Sequence, residues 1–285
     1  MSTEFALLQA AGNRYIAIDG RSVEADWSAL ARSMTRPRFG VGSDGLLVVQ
    51  PSRRAALRMR VFNSDGSEAE MSGNGLRLFA KFALDRGLAD LERGELRVET
   101  GAGLRSVWPT LEAGRMASGR IALGVPVFDP AAIPLAVGRP ELEPDPRPPR
   151  ARLDAAGRSL ELLCLSLGNP HAVAIVDGPV EAFPLEAVGP LVQTHPLFPN
   201  RVNFEIVNVL DRGRLRARIF ERGEGETLSS GTGSTACAVA ARASGRVDDG
   251  VVVELRGGSL RVEWDGSGEA FLEGPVVEVF RGCWG

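Results

Sequence analysis

Short apolar stretches separated by glycine and aspartate turns make up most of the first third of the chain. Stretches rich in leucine, β-branched and aromatic residues and bounded by turn residues are typical of strands. The pattern predicts strands over residues 15–19, 46–50, 57–62 and 95–99. Residues 27–33 predict a short helix, with Asp26 as its N-terminal cap.

Between the third and fourth of these predicted strands, the apolar residues follow a helical period instead. Four apolar residues recur at the spacing i, i+3, i+4, i+7, namely Leu76, Phe79, Ala80 and Ala83. This spacing places them on one face of a helix, so we predict a buried helix over residues 75–86. Gly87 follows at a position where glycine commonly ends helices.

The second half of the chain repeats this plan. Eight stretches there have strand character: residues 160–167, 172–176, 203–210, 215–220, 251–255, 260–264, 270–272 and 276–280. A second apolar helix carries Ala236, Val239, Ala240 and Ala243 at the helical spacing. The proline-rich, charged segment 140–150 predicts an exposed loop.

These elements predict a strand-rich α+β chain of two pseudo-symmetric halves, each wrapping a central helix. A length of 285 residues suits one large domain or two medium-sized ones. We expect the junction near Arg120. The N-terminal domain would then span residues 1–120, completed by the C-terminal strand 275–285, and the C-terminal domain would span residues 121–274.

Two glycine loops open the two predicted central helices. Each loop follows an acidic, polar turn, and the two sequences are Ser72-Gly73-Asn74-Gly75 and Ser230-Gly231-Thr232-Gly233. Backbone N–H groups converge at a helix start, which carries partial positive charge. Two facing helix starts would form a cage for one small carboxylate, with a serine at each lip. Taken alone, the first loop favours Ser72 as an ordinary N-cap, and a plain cap is also possible for Ser230.

Composition narrows the range of functions. The chain is 44% hydrophobic and 24% charged, with a net charge of −3 and no basic run, which argues against a nucleic-acid partner. No apolar run reaches the ~18 residues of a membrane span, and residues 1–11 lack the pattern of an export signal. The three cysteines are widely spaced, which indicates reduced thiols in a cytoplasm rather than a disulfide framework or a zinc site.

Lys81 is the only lysine of the chain, and this limits cofactor chemistry. Pyridoxal enzymes form a Schiff base with a lysine. Lys81 lies within the predicted helix 75–86, where we interpret it as a solvated surface residue. A reaction at an amino-acid α-carbon is therefore expected to need no cofactor.

A third segment, Gly168-Asn169-Pro170-His171, places one of the two histidines in a turn after a strand, within reach of a site. With this segment and the two glycine loops, the chain resembles the diaminopimelate epimerase family nearly from end to end. Further segments carry the same resemblance: residues 11–13, 39–45, 62–75, 201–203, 221–233, 262–266 and 274–280.

The resemblance implies two pseudo-symmetric domains with the active site in the cleft between them. It implies that LL-diaminopimelate is converted to meso-diaminopimelate without a cofactor or metal. In the implied mechanism, two residues remove and deliver the α-proton on opposite faces of the α-carbon. In the family these two residues are cysteines, and their positions correspond here to Ser72 and Ser230. The implied partner is a small dicarboxylic amino acid, and members of this family are often dimers.

The resemblance also implies roles for other residues. The N–H groups expected to hold the reacting carboxylate belong to Gly73, Asn74, Gly231 and Thr232. The side chains expected to hold the distal amino-acid end are Asn63, Asn169, Asn203 and Arg222. The side chains expected beside the two proton-transfer residues are Asn13, His171 and Glu221. Gly45 departs from the pattern, since the family usually has a substrate-touching glutamine there.

Two serines change the expected chemistry. A thiol titrates near about 8.5, within reach of the working pH, whereas a hydroxyl is far less acidic. A helix start supplies at most roughly 2 kcal/mol, or about 1.5 pKa units, which is not enough for a serine. His171 or Glu221 could instead act as the base through a serine hydroxyl.

Three explanations stay open from the sequence. The chain could be an epimerase whose serines are assisted by neighbours, acting on diaminopimelate or another amino acid. The serines could have been introduced by engineering, although Leu76 and Leu78 point to natural divergence. The chain could also be a binding relative or a dehydratase. The retained contacts for the distal end favour the enzyme. Cys237, two helical turns beyond Ser230, is interpreted as a core residue.

Overall fold

The computed structural model describes residues 2–143, 145 and 147–285, which form two compact units. Unit 1 comprises Met1–Ala122 and Glu273–Gly285, and unit 2 comprises Leu123–Leu272. Each unit has its own apolar core.

The elements up to the end of unit 1's first segment are eight strands and two helices. The strands are β1 (Thr3–Ala10), β2 (Asn13–Asp19), β3 (Gly45–Gln50), β4 (Leu57–Asn63), β5 (Glu68–Ala69), β6 (Leu96–Thr100), β7 (Gly103–Glu112) and β8 (Arg115–Gly124). The helices are α1 (Trp27–Met34) and α2 (Gly73–Asp85).

The remaining elements belong to unit 2 up to Leu272, within β18, and the rest of β18 and the last strand belong to unit 1. The strands are β9 (Leu142–Glu143), β10 (Arg150–Ala155), β11 (Arg158–Ser166), β12 (Pro170–Ile175), β13 (Asn203–Asp211), β14 (Arg214–Glu221), β15 (Gly225–Thr227), β16 (Gly250–Leu255), β17 (Gly258–Glu263), β18 (Ala270–Pro275) and β19 (Val277–Trp284). The helices are α3 (Leu185–Gln193) and α4 (Gly231–Ala243), with a short 3₁₀ turn at Val180–Ala182.

The two units repeat one order of strand pairing. In unit 1, β1 and β2 are antiparallel, β2 and β3 parallel, and β3 and β4 antiparallel. The strand β4 then pairs antiparallel with β5 and parallel with β6, which pairs antiparallel with β7. The same order runs through β11 to β17 in unit 2. The predicted repeat of one plan is therefore present at the level of hydrogen-bonded pairs.

Each unit has a central helix that packs against several of its strands. The helix α2 contacts β1, β2 and β3, and α4 contacts β11 to β14. Both helices have 13 residues and are almost entirely buried after their first turn. Leu76, Phe79, Ala80 and Ala83 are all buried, which confirms the helical period read from the sequence.

Some elements escaped the sequence analysis. The strands β1, β7, β8 and β10 and the helix α3 were not among the predicted elements. The helix α3 contains Pro190, which normally argues against a helix interior, and β7 contains Pro109. The segment 140–150, predicted as an exposed loop, contains β9, which pairs with β10. Two of its prolines, Pro144 and Pro146, lie outside the described residues.

The surface assignment of Lys81 from the sequence is wrong. Lys81 is only 6% exposed, and its ammonium group donates to Asp85 at 2.9 Å and to the carbonyl of Met116 at 2.7 Å. Such a charge stays buried because it is both paired and hydrogen-bonded. Glu226 is also largely covered and forms a two-pronged ion pair with Arg218. The described residues include no helix that is both long and apolar enough to cross a membrane.

Candidate active site

The first glycine loop forms the N-terminal cap of α2. Ser72 has an extended backbone (φ −139°, ψ 125°), and its Oγ accepts a hydrogen bond from the N–H of Gly75 at 3.0 Å. The first helical bond runs from the N–H of Leu76 to the carbonyl of Ser72 at 2.7 Å. The preceding N–H groups, those of Gly73 and Asn74, have no acceptor within the helix by geometry and can bind an anion.

Ser72 has a second partner that the sequence analysis missed. The phenol of Tyr15, on β2, donates to Oγ of Ser72 at 3.3 Å. Tyr15 is the single tyrosine of the chain. It lies opposite Gly45 in the parallel pair of β2 and β3. The signal in the sequence that could have indicated Tyr15 is its place on a predicted strand, two residues after the candidate substrate contact Asn13.

Asn13 belongs to a chain of polar contacts that runs into α2. Its amide nitrogen donates to the carboxylate of Asp44 at 3.4 Å, and its amide oxygen accepts from the side chain of Asn74. The amide oxygen of Asn74 in turn accepts from the guanidinium of Arg77. Asp44 also accepts from the N–H of Arg14 at 2.8 Å, which ties the segment before β3 to β2.

Arg77 is the buried end of this chain. It is fully buried, and its Nε and Nη1 have no hydrogen-bond partner among the described residues. Burial lowers the pKa of Arg77 to about 10, although Glu273 opposes that shift. A guanidinium under this constraint holds Asn74, and through it Asn13, in one orientation. The sequence carried no signal for it beyond an arginine within an apolar helix.

Asn63 ends β4 and is exposed. Its amide nitrogen donates to the hydroxyl of Ser67 at 2.9 Å. Asn63 pairs in register with Gly45, so it lies at the same end of β3 as Tyr15.

The second glycine loop repeats the first in unit 2. Ser230 caps α4 with nearly the same backbone (φ −139°, ψ 130°), and its Oγ accepts from the N–H of Gly233 at 3.2 Å. Its hydroxyl donates to Oε2 of Glu221 at 3.0 Å. The other oxygen of that carboxylate accepts from the hydroxyl of Thr227 at 2.7 Å. Ser230 is only 6% exposed, so the serine–carboxylate contact is largely shielded from water.

His171 is fully buried and is held through both ring nitrogens. Its Nδ1 lies 2.7 Å from Oε1 of Glu205, and its Nε2 lies 3.0 Å from Oδ1 of Asn169. Within unit 2, His171 therefore contacts a carboxylate and an amide rather than Ser230. Burial raises the pKa of Glu205, and the neighbouring His171 opposes that shift. Glu205 was missed because it lies within an apolar strand, β13, where no turn or motif marks it.

The amide of Asn169 links His171 to the second glycine loop, since its Oδ1 lies 3.0 Å from Nε2 of His171. Asn169 also donates to the hydroxyl of Thr232 at 3.4 Å, so its amide is fixed from two sides.

Asn203 and Arg222 are joined through the backbone. The amide oxygen of Asn203 accepts from the N–H of Arg222 at 2.8 Å, and its nitrogen donates to the carbonyl of Pro170 at 3.1 Å. The guanidinium of Arg222 donates to the carbonyl of Asn200 at 3.2 Å and is otherwise exposed. Arg222 thus keeps most of its donors for a ligand, as a carboxylate-binding arginine requires.

The two units place their polar residues at matching positions. In unit 1, β3 begins at Gly45, opposite Tyr15 and Asn63. In unit 2, β13 begins at Asn203, opposite His171, and the pair Phe204–Phe220 puts Glu221 at the next position outward. We name the first half-site as Asn13, Tyr15, Gly45, Asn63 and Ser72. The second half-site, position for position, is Asn169, His171, Asn203, Glu221 and Ser230.

Comparison with solved structures defines the class of protein first. A phenazine biosynthesis protein of the PhzF family from Bacillus anthracis matches with a TM-score of 0.68, covering 100% of this chain and 99% of that chain at 16% identity. A hydroxyproline epimerase from Agrobacterium vitis matches with a TM-score of 0.68, covering 99% and 92% at 16% identity. The chain has the fold that these proteins share, which confirms the predicted fold class.

Comparison of sequences then gives the family. The model of the family described as diaminopimelate epimerase matches residues 5–120 and 163–279. The diaminopimelate epimerase of Moorella thermoacetica is 43% identical over 282 residues, which cover 98% of each chain. This chain belongs to the diaminopimelate epimerase family, and the resemblance read from the sequence is confirmed.

Proposed function

We propose that this chain inverts the α-carbon of LL-diaminopimelate to give meso-diaminopimelate, by proton transfer on opposite faces and without a cofactor. The observation that carries the proposal is the repeated half-site, in which a serine caps a helix start and contacts a second proton-holding group. Full-length similarity to the Moorella thermoacetica enzyme supports diaminopimelate as the substrate.

Each half-site supplies one part of such a reaction. The free N–H groups at the starts of α2 and α4 suit the reacting carboxylate, since helix starts favour negative charge. Holding that carboxylate there stabilises the charge that develops on the adjacent carbon. The exposed amide of Asn63 and the guanidinium of Arg222 are free to hold the distal end of the amino acid.

Inversion of a carbon centre needs one proton-transfer group on each face. We assign Ser230 with Glu221 to one face and Ser72 to the other. Glu221 is an acceptor that a serine hydroxyl lacks, and at 3.0 Å from Oγ of Ser230 it can take the hydroxyl proton as a substrate proton arrives. Glu221 thus supplies the base that a weakly acidic serine hydroxyl needs, and the pKa of that hydroxyl does not have to shift.

The test is α-proton exchange in heavy water, followed by NMR, with LL- and meso-diaminopimelate as separate substrates. We expect deuterium at the α-carbon and interconversion of the two isomers. Ser72→Ala and Ser230→Ala should each abolish interconversion, because each removes one proton-transfer hydroxyl. Ser229→Ala is the matched control, since Ser229 is buried beside Ser230 and its hydroxyl has no partner among the described residues.

Saturable binding of diaminopimelate without exchange at either α-carbon would overturn the epimerase and leave a binding protein. Absence of both binding and exchange would remove diaminopimelate as the ligand. Equal loss of activity in the Ser229→Ala control would show that the loop, rather than the two hydroxyls, decides the result.

A further inference from the structure

The two serines have opposite hydrogen-bonding directions. Ser72 accepts twice, from the N–H of Gly75 and from the phenol of Tyr15. A hydroxyl oxygen has two lone pairs, so Ser72 is left with its own hydrogen to donate. Ser230 accepts once, from the N–H of Gly233, and its hydrogen already goes to Glu221. Ser230 is therefore left with a lone pair to accept with.

The difference arises because the half-sites match in position but not in residue type. The partner of Ser72, Tyr15, lies on β2 at the position that corresponds to His171 on β12. His171 does not contact a serine there but contacts Glu205 and Asn169. The partner of Ser230 comes from the end of β14, the position that Asn63 occupies on β4. Ser72 thus adjoins a hydrogen-bond donor, and Ser230 adjoins a hydrogen-bond acceptor.

The directions of these two hydrogen bonds give the starting arrangement. The Tyr15 phenol carries the hydrogen that it donates to Ser72, whereas Oε2 of Glu221 accepts the hydrogen of the Ser230 hydroxyl. We propose that Tyr15 supplies, through Ser72, the proton delivered to the substrate, whereas Glu221 receives, through Ser230, the proton removed. This assignment rests on the proposed function, because it needs both hydroxyls to act on the same substrate carbon.

The proton count of the reaction balances. The Cα–H bond breaks, its proton passes to Oγ of Ser230, and the Ser230 hydroxyl proton passes to Glu221. The electron pair left on Cα takes the hydroxyl proton of Ser72 on the opposite face, and the phenol proton of Tyr15 replaces it. Water then removes the proton from Glu221 and returns one to the phenolate. Tyr15 acts through Ser72 and is a positioning residue in this scheme.

The assignment makes the two substrate isomers behave differently in heavy water. For the isomer whose α-hydrogen faces Ser230, Glu221 can exchange its captured proton with solvent and return deuterium to the same face. That isomer gains deuterium in the recovered substrate without inversion. The other isomer loses its α-hydrogen to Ser72, so it reacts only when Tyr15 is a phenolate and Glu221 is protonated. In that form Glu221 can at once supply, through Ser230, the proton that completes inversion. Its deuterium is expected mainly in the product.

Tyr15→Phe tests the assignment, since it removes one hydroxyl and keeps the ring. We expect inversion in both directions to fall by roughly 10²-fold or more, the usual effect of losing an acid or base. Exchange without inversion at the Ser230 face should stay within about threefold, because it uses only Glu221 and Ser230. In a Ser72→Cys background the same substitution should cost under about threefold, because a thiol is acidic enough to donate unaided.

Equal loss of exchange and inversion in Tyr15→Phe would overturn the inference, because structural damage would produce it. Unchanged inversion would overturn it as well. If the unmodified protein exchanges neither isomer, it is the proposed function that fails, and the two failures are thereby distinguished. Circular dichroism and thermal unfolding of Tyr15→Phe confirm that the comparison is made on folded protein.

Discussion

Tyr15 and Gly45 are paired in register on parallel strands, and the tyrosine occupies the space that a side chain at position 45 would need. A Cβ built on Gly45 would lie 2.7 Å from Cε1 of Tyr15 and 2.6 Å from the carbonyl oxygen of Phe62. Real Cβ atoms do not approach this closely, so Gly45 is required by packing. The sequence marked Gly45 only as a departure from the family pattern; the structure explains it by the tyrosine opposite.

Gly45→Ala should therefore destabilise the protein by about 1–3 kcal/mol, the usual cost of overpacking. It should also reduce epimerisation, because the Tyr15 phenol is pushed from Ser72. Urea unfolding and the exchange assay measure the two effects. Gly178→Ala is the matched control, since a Cβ at Gly178 would meet nothing within 4 Å. An unfolding free energy of Gly45→Ala equal to that of the control would contradict the packing argument.

Ser72→Cys combined with Ser230→Cys should raise the rate of epimerisation by orders of magnitude. A thiol titrates near about 8.5, and a helix start lowers that value toward neutrality, which a hydroxyl cannot match. The measurement is the interconversion rate of LL- and meso-diaminopimelate. Cys237 is buried in α4 and cannot substitute for either residue, so the native protein is a valid baseline. A folded double variant without a gain in rate would mean that these two positions do not carry the proton transfer.

Glu205 should make stability depend on pH. Because burial raises its pKa, the folded protein keeps a proton that the unfolded chain releases above the ordinary carboxyl pKa of about 4.3. The folded state then binds more protons, so this group's contribution is full below that pH and is lost as the pH rises through the folded-state pKa.

Glu205→Gln is neutral at every pH and should remove that contribution. Urea unfolding of both proteins at several pH values gives the difference in unfolding free energy. We expect the native protein to lose stability relative to the variant as the pH rises above about 4. A difference that is constant with pH would show that the carboxyl titrates alike in the folded and unfolded chain. Ser229→Ala is the control, since it changes a buried side chain without changing any charge.

The three thiols should differ sharply in reactivity. Burial raises the pKa of Cys164 to about 12, and Glu205 adds to that shift. Burial also raises the pKa of Cys237 well above its usual value, whereas Cys283 is exposed on β19. Iodoacetamide at pH 8 should therefore modify one thiol in the native protein and all three in denaturant, as counted by mass spectrometry. Modification of Cys237 in native protein would mean that α4 opens readily.

Much of the fold and part of the site could be predicted from the sequence, because they depend on local patterns. The 3.6-residue period predicted α2, and the serine–glycine loops predicted both helix starts. The pairing of Tyr15 with Ser72 and of Glu205 with His171 could not be predicted, since both contacts join residues far apart in sequence. Lys81 was assigned to the surface because its partners, Asp85 and the carbonyl of Met116, depend on the fold around it.

The serines that cap α2 and α4 have a consequence beyond proton transfer. In a pair of cysteines, the thiolate form that does the chemistry is also the form that oxidants attack, to sulfenic acid or a disulfide. Hydroxyls at both positions remove that liability, and the two remaining buried thiols are shielded by their environment. If the helix caps transfer protons as proposed, that step is insensitive to redox state and depends instead on the carboxylate and phenol neighbours of the two serines.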